Sequence, residues 1–389
     1  MITVSLPIIL WFLFLALSFG TAFLIYILMM KSAKRPWRIR IDDHYKPKVS
    51  ILVPTYNEEA VIRLKLENLT KVRYPRDLME IIVVDSNSQD QTLNIVNDFV
   101  KQHPETNFKI LKENKRRGKS AALNFALKNC EGEVVIVSDA DCFWPSDILE
   151  KALPFLADPN VGAISGPKIL LNPEESWVTK TEDFYLNSMN RVRLGESKVY
   201  STLLFEGGFS AYKKEVLESF DPYNTGSDDC GTIVALAEKG YRAIFVPEAR
   251  FYSAFPKSWR EKIGIKLRRA NQLVRVLWKY LCLLFKGRIK IPKRVIVQGI
   301  LMYIINPIMF LALIVTSIYL LFEFPYLSLI FLIFLIPYVN SYLFELIQNN
   351  LVLFISMIAV LVNKKFVVWK KPKDRAMLRD GVLRQYGLI

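Results

Sequence analysis

Hydrophobic and polar positions divide the chain into three kinds of stretch. Residues 4–30 form an uncharged run rich in Leu, Ile and Phe, long enough to cross a bilayer. From Lys48 onward, short β-branched runs alternate with amphipathic stretches. Lys48–Pro54, Glu80–Asp85, residues 107–112, Glu133–Val137 and Val161–Ser165 read as strands, because continuous apolar runs of this length suit strands buried on both faces of a parallel sheet. Asn57 is a predicted N-cap for a helix whose apolar side carries Val61, Leu64 and Leu69. Strand followed by helix, repeated to about residue 165, predicts an α/β domain with right-handed βαβ crossovers. Further helices are expected over Glu174–Leu194 and Ile233–Lys239, the second closed by Gly240, with a strand at Tyr241–Val246. Residues 257–286 interleave basic with apolar and aromatic positions, which predicts one or two amphipathic helices lying on a membrane surface. Val295–Phe322 predicts a second span and Tyr326 to about Phe344 a third. Leu351–Val362 is short for a crossing and is expected to be interfacial or packed against the other helices.

Charge sharpens this division. Lys and Arg number 52 against 37 Asp and Glu, a net +15, and the excess flanks the apolar runs. Lys31, Lys34, Arg35, Arg38 and Arg40 follow the first; Lys286, Arg288, Lys290, Lys293 and Arg294 precede the second; Lys364, Lys365, Lys370, Lys371 and Lys373 follow the last. That distribution suits the cytoplasmic sides of membrane spans and anionic head groups rather than nucleic acid, and no nucleic-acid-binding motif is evident. With positive charge after the first run and none before it, an uncleaved anchor is expected, its amino end outside and the following domain in the cytoplasm. The expected organisation is an anchor at 1–32, a cytoplasmic domain at 45–256, interfacial helices at 257–294, apolar helices at 295–363 and a basic cytoplasmic tail at 364–389. Four scattered cysteines and two histidines exclude a His/Cys zinc site and a disulfide framework, as expected of a reduced compartment.

Chemistry concentrates at a few strand ends. Asp139 and Asp141 close the strand that begins at Glu133. Residues two apart project to the same side of an extended chain, and the carboxyl ends of such strands border the ligand crevice of an open α/β sheet. Two carboxylates there suit Mg²⁺ or Mn²⁺; a solvated acidic loop is the plainer reading. Gly118-Lys119-Ser120 precedes a helix, but Glu113 stands where a P-loop needs glycine, so the basic turn is either a phosphate contact or a solvated loop. Phe205-Glu206-Gly207-Gly208-Phe209 is either a close-approach segment for substrate or a structural turn. Asp228 and Asp229, at a helix start, are compatible with answering the helix dipole.

Taken together, residues 47–252 resemble the inverting family 2 glycosyltransferases, which have the GT-A nucleotide-sugar fold. The resemblance rests on Val-Pro-Thr-Tyr-Asn-Glu at 53–58, Ile-Val-Val-Asp at 82–85 with Asp90-Gln91-Thr92, Gly118-Lys119 with Ala122 and Asn124, Asp139-Ala140-Asp141, and Asp228-Asp229 with Gly240-Tyr241. It implies that Thr55, Glu58 and Asp85 hold the base and ribose, usually of uridine, and that Lys119 lies near the nucleotide. It further implies that Asp139 contacts the nucleotide, that Asp141 is the principal ligand of a Mn²⁺ or Mg²⁺ ion, and that Asp229 is the catalytic base beside Asp228. Glu206, Gly207 and Gly208 resemble the segment lining the acceptor site. Two departures stand out. Asp85 is followed by Ser86 where the family often has a second Asp. The Gln-x-x-Arg-Trp of processive synthases is reduced to Lys266-Leu267-Arg268-Arg269-Ala270. Arg268 and Arg269 then serve a diphosphate, a lipid phosphate or the membrane surface. The resulting expectation is a multi-pass membrane enzyme that moves one sugar from a nucleotide-sugar, a UDP-sugar first, to a lipid or lipid-linked acceptor. A processive polysaccharide synthase and a catalytically silent nucleotide-binding scaffold are the alternatives.

Overall fold

The computed structural model of the chain describes residues 6–326, 329, 337–365 and 380–389. The nine strands among these described residues are β1 (Val49–Thr55), β2 (Met79–Asp85), β3 (Phe108–Lys112), β4 (Val134–Val137), β5 (Val161–Ser165), β6 (Lys168–Leu170), β7 (Ser210–Lys213), β8 (Arg242–Phe245) and β9 (Phe251–Ser253). Seven of them form one sheet in the order β3-β2-β1-β4-β7-β5-β8, while β6 and β9 pair separately. The pairs β1–β2, β1–β4 and β2–β3 are parallel, as the strand–helix alternation predicts. β5 does not lie beside β4, however. The antiparallel β7 is inserted between them, tied to β5 by the Ser165 hydroxyl, which donates to the Phe209 carbonyl at 2.8 Å. Its four residues, Ser-Ala-Tyr-Lys, carry no apolar run that alternation would detect.

Among the described residues the α-helices are α1 (Leu6–Leu15), α2 (Thr21–Ala33), α3 (Ile62–Thr70), α4 (Thr92–Gln102), α5 (Lys119–Leu127), α6 (Ile148–Ala152), α7 (Trp177–Val199), α8 (Cys230–Lys239), α9 (Trp259–Phe285), α10 (Lys293–Ile300), α11 (Asn306–Glu323), α12 (Pro337–Leu361) and α13 (Asp380–Gln385). Period-two alternation along β1 and β2 sends Ile51, Val53, Ile81 and Val83 to one face, against Ile62, Leu66, Val96 and Phe99 of α3 and α4. Leu52, Ile82 and Val84 go to the other, against Ala122, Leu123, Ile233 and Leu236 of α5 and α8. Both faces are covered, so the strands read as continuous apolar runs.

Asn57 does not cap α3. It adopts φ +53°, and its Oδ1 accepts the Gln89 N–H at 2.7 Å, joining the loop after β1 to the loop after β2. A polar side chain in a left-handed turn makes this bond without helical geometry.

Leu6–Ala33, Lys293–Glu323 and Leu343–Leu361 are long and apolar enough to cross a membrane. The third replaces the expected break between a span ending near Phe344 and a separate segment at Leu351–Val362, since α12 is continuous through both; residues 327, 328 and 330–336 of the expected third span lie outside the described residues. The hydropathy dip that suggested a break holds Glu345, Gln348 and Asn349. These pair with α9 instead of ending the helix: Trp259 Nε1 donates to Gln348 at 2.6 Å, Lys262 Nζ lies 2.7 Å from Glu345, and Lys266 reaches both Glu345 (2.5 Å) and Asn349 (2.8 Å). Lys262 and Lys266 are therefore buried between helices, not spread over a bilayer surface as the alternating pattern predicts. Lys370, Lys371 and Lys373 lie outside the described residues.

The carboxyl-terminal segment docks beneath the Asp139–Asp141 turn. Leu383, Leu388 and Ile389 pack with Val61, Phe143 and Leu171. Asn68 Nδ2 donates to the carbonyls of Trp144 (2.8 Å) and Leu388 (2.7 Å), and its Oδ1 accepts the Trp144 N–H at 2.8 Å. Lys65 Nζ donates to the Cys142 carbonyl at 2.6 Å. Replacing Asn68 by Ala leaves three buried backbone groups without these partners. The expected outcome is a loss on the order of 2–4 kcal/mol in a denaturant melt; an unchanged midpoint would show that this brace contributes nothing.

Candidate active site

The carboxyl ends of β1, β2 and β4 meet at one sheet edge. Thr55 and Asp85 are register partners at the last positions of β1 and β2, and Thr55 Oγ1 donates to the Val84 carbonyl at 3.1 Å. Beyond that edge lies a cleft of about 660 Å³ whose walls include Thr55, Glu58, Lys119, Asp139, Asp141, Glu206, Gly207, Gly208, Asp228, Asp229, Arg268 and Arg269. Every predicted site residue thus reaches one cavity except Asp85. That carboxylate is buried one layer below the wall. Its Oδ2 accepts the Ser88 N–H at 3.1 Å, while its Oδ1 has no hydrogen-bond partner among the described residues.

Lys119 joins the separate acidic segments. It opens α5 directly after Gly118, whose φ of +98° suits glycine. Its ammonium lies 2.7 Å from Asp139 and 2.8 Å from Asp228. Burial opposes the charge, but the carboxylates of Asp139, Asp228 and Asp229 outweigh it and hold Lys119 well above the usual lysine range. Gly207 closes over this contact: a Cβ there would sit 2.8 Å from Lys119 Nζ and 3.1 Å from Asp139 Oδ2. Asp229 is the N-cap of α8, its Oδ1 accepting the Cys230 N–H at 2.6 Å and the Ser227 hydroxyl. The helix-start reading of Asp228-Asp229 is therefore realised in Asp229, and the same residue also lines the cleft.

Asp139, Asp141 and Cys142 place their ligating atoms within 4.8 Å of one another. Burial, with Asp141 and Asp139 alongside, pushes the Cys142 thiol well above its usual range. The thiol donates to Asp141 Oδ1 at 3.8 Å, and two of the three donors on offer are carboxylates. That set fits Mn²⁺ or Mg²⁺ and not a thiolate-preferring metal.

Cations line the same wall. Glu206 lies 2.9 Å from Arg193 and 3.9 Å from Arg269. Burial raises its pKa, but Arg193, Arg269 and Lys168 prevail and hold it at about 2. Tyr303, Val352 and Leu353, from the apolar helices, continue the wall. Sequence reasoning missed Arg193, which lies inside an otherwise ordinary amphipathic helix. Arg116, expected only as part of the basic turn before Lys119, stacks its guanidinium 3.9 Å over the ring of Tyr56, and both line the cleft. The signal available for the latter was the Tyr within Thr55-Tyr56-Asn57.

Residues 47–272 match the family described as glycosyltransferase like family 2. The chain belongs to this family. Among the solved structures, the mannosyltransferase PcManGT from Pyrobaculum calidifontis, in complex with GDP-Man and Mn2+, is 31% identical with a TM-score of 0.79. That likeness covers 92% of this chain and 100% of the other, so the sheet and its apolar helices are shared. A probable glycosyltransferase of Bacillus subtilis, YdaM, is 30% identical over 62% of this chain and 58% of its own length. The β-monoglucosyldiacylglycerol synthase of Trichormus variabilis is 38% identical over 34% of this chain and 29% of its own. The chain thus spans little more than half of the first of these curated relatives and under a third of the second. Its mixed sheet is of the GT-A type.

The Glu206 ion cluster gives a pH prediction for this family 2 enzyme. A carboxylate held near 2, against an ordinary 4.5, contributes stability that is complete above the unfolded pKa and is lost as pH falls through the folded one. Wild type should exceed Glu206→Gln by on the order of 3 kcal/mol above about pH 5. The gap should shrink steadily as the pH falls toward about 2, measured by denaturant melts across pH. A pH-independent gap would contradict the assignment.

Proposed function

We propose that the protein is a metal-dependent, inverting glycosyltransferase that moves a single sugar from a nucleoside-diphosphate sugar to a lipid or lipid-linked acceptor at the cytoplasmic face of a membrane. The observation that carries this reading is the continuity of the cleft: it runs from the Asp139–Asp141 edge, past Asp229, to Tyr303, Val352 and Leu353 on helices of membrane-spanning length. A lipid glycosyltransferase among the relatives supports the acceptor class. GDP-mannose is the favoured donor, because the mannosyltransferase likeness extends over the apolar helices as well as the sheet; a UDP-sugar is the alternative that the motif resemblance favours.

In this reading Asp141, with Asp139, holds Mn²⁺ or Mg²⁺, which supplies charge neutralisation to the diphosphate leaving group. Tyr56 with Arg116 offers a stacking surface for the base, while Thr55 and Glu58 line the wall beside it. Lys119 offers positive charge to the diphosphate once its carboxylate partners are engaged elsewhere. The Asp229 carboxylate accepts the proton of the acceptor hydroxyl as that oxygen attacks the anomeric carbon, in one displacement that inverts configuration. Asp229 Oδ1 already caps α8, so its other oxygen is the one free for this task. Ala270 stands where processive members carry a sugar-stacking Trp, which favours one transfer over polymer growth.

The test is transfer by the full chain in detergent with Mn²⁺, using GDP-mannose, UDP-glucose and lipid acceptors. Asp141→Asn and Asp229→Asn should each lower the rate by about 10²–10⁴-fold. Asn is as good an N-cap as Asp, so Asp229→Asn should leave the melting temperature close to wild type. Full activity in either variant would overturn the site assignment, and a ladder of products would favour a processive synthase.

A further inference from the structure

The segment Asp380–Ile389 is seated behind the Asp139–Asp141 turn. Residues 142–144 follow Asp141 directly, and each of their backbone polar groups is paired. The Cys142 N–H donates to the Asp139 carbonyl at 3.2 Å, and the Cys142 carbonyl accepts Lys65 Nζ at 2.6 Å. Phe143 and Tyr252 exchange backbone hydrogen bonds in both directions at 2.8 Å. The Trp144 N–H donates to Asn68 Oδ1, and its carbonyl accepts Asn68 Nδ2. Its indole Nε1 donates to the Gly208 carbonyl at 2.8 Å, beside the glycine that covers the Lys119–Asp139 contact. Two elements therefore hold the turn from outside the cleft: α3 through Lys65 and Asn68, and β9 through Tyr252.

The seated segment bears on those same two elements. Leu383, Leu388 and Ile389 pack with Val61 and Leu64 of the α3 start and with Phe143 of the turn itself. The Leu388 carbonyl accepts Asn68 Nδ2 at 2.7 Å across 320 positions of sequence, and the Tyr386 ring lies 5.6 Å from that of Tyr252. A backing of this kind answers a physical need. The Asp139 and Asp141 ligating atoms lie within 4.8 Å of each other, and like charges that close repel until a cation joins them.

We propose that the Asp380–Ile389 segment is a positioning element for the divalent ion: seated, it lets Asn68 and Tyr252 hold the Asp139–Asp141 turn in the ion-binding arrangement, and released, it leaves a cleft that binds the ion weakly. This rests on the metal-dependent reading above. An apparent Kd rises by the inverse of the fraction of molecules whose site is competent, so a loosened turn loses affinity while keeping every ligand. A segment seated through a few apolar side chains opens more readily than the sheet, and the coupling is reciprocal: the ion must also favour the seated state.

The test uses the full chain in detergent with Mn²⁺ alone as the probe. In the wild type, saturating Mn²⁺ should slow amide hydrogen exchange over residues 380–389 by at least about threefold, read by mass spectrometry. Leu383→Asp, which puts a charge into the apolar cluster, should speed exchange over residues 139–144 in the metal-free protein. It should also weaken Mn²⁺ binding, read by electron paramagnetic resonance, by at least about tenfold. Leu383→Met preserves the apolar volume and should hold Mn²⁺ within about twofold of wild type. Val96→Ala opens a cavity under α4 instead, lowering stability in general, and should keep Mn²⁺ affinity within about the same twofold margin. Equal exchange over 380–389 with and without saturating Mn²⁺ would overturn the proposal, whether or not Leu383→Asp folds. Unchanged Mn²⁺ affinity in a folded Leu383→Asp would do the same, and so would a loss in Val96→Ala as large as in Leu383→Asp. Failure of the wild type to bind Mn²⁺ would sink the metal-dependent reading itself; Mn²⁺ bound without coupling to the segment would sink the positioning role alone.

Discussion

An ammonium group held between two carboxylates organises the cleft. Asp139 leaves the end of β4, Asp228 precedes α8, and Lys119 opens α5; the three segments span residues 119 to 228 and meet on the Lys119 Nζ. Each carboxylate would repel the other without the cation. Gly207 covers the contact, and a Cβ there would press on the Lys119 ammonium and the Asp139 carboxylate. The positions of Asp141 and Asp229 follow, since each is the chain neighbour, or next but one, of a carboxylate fixed in this way.

Around that centre the cleft wall carries both signs. The acids Asp139, Asp141, Asp228 and Asp229 share it with Arg193, Arg268 and Arg269, and Glu206 pairs with Arg193 and Arg269. A wall of opposite charges in a partly dry cavity orients a ligand that is itself polarised. The buried cluster of Lys262, Lys266, Glu182 and Glu345 then fastens α9 to α7 and α12. Pairs of this kind add little net stability, but losing one partner is expensive. They hold the helices in one register, and the apolar helices thereby become part of the same wall.

The strands and their terminal acids were legible because burial on both faces leaves an unbroken β-branched run, and the motif spacing around Asp139-Ala140-Asp141 is specific. The insertion of β7 was not, since its four residues, Ser-Ala-Tyr-Lys, are too short and mixed a run to show a hydrophobic period. Glu345, Gln348 and Asn349 misled for a related reason: local hydropathy registers their polarity but not the lysines and tryptophan that α9 brings to them. Asn57 looked like a cap because its residue type suits one, and only the facing loop reveals its actual bond. Arg193 and Asp85 make the same point in opposite directions, one reaching the cleft unannounced and the other stopping beneath it.

Metal binding tests the convergence of these segments most directly, because it reads the site without needing the right sugar or lipid. Electron paramagnetic resonance of Mn²⁺ titrated into the nucleotide-bound protein should reveal one tight site, with Asp141→Asn abolishing it and Asp139→Asn weakening it in a protein that still melts cooperatively. Mn²⁺ bound with undiminished affinity in both variants would contradict a cleft built on those two carboxylates.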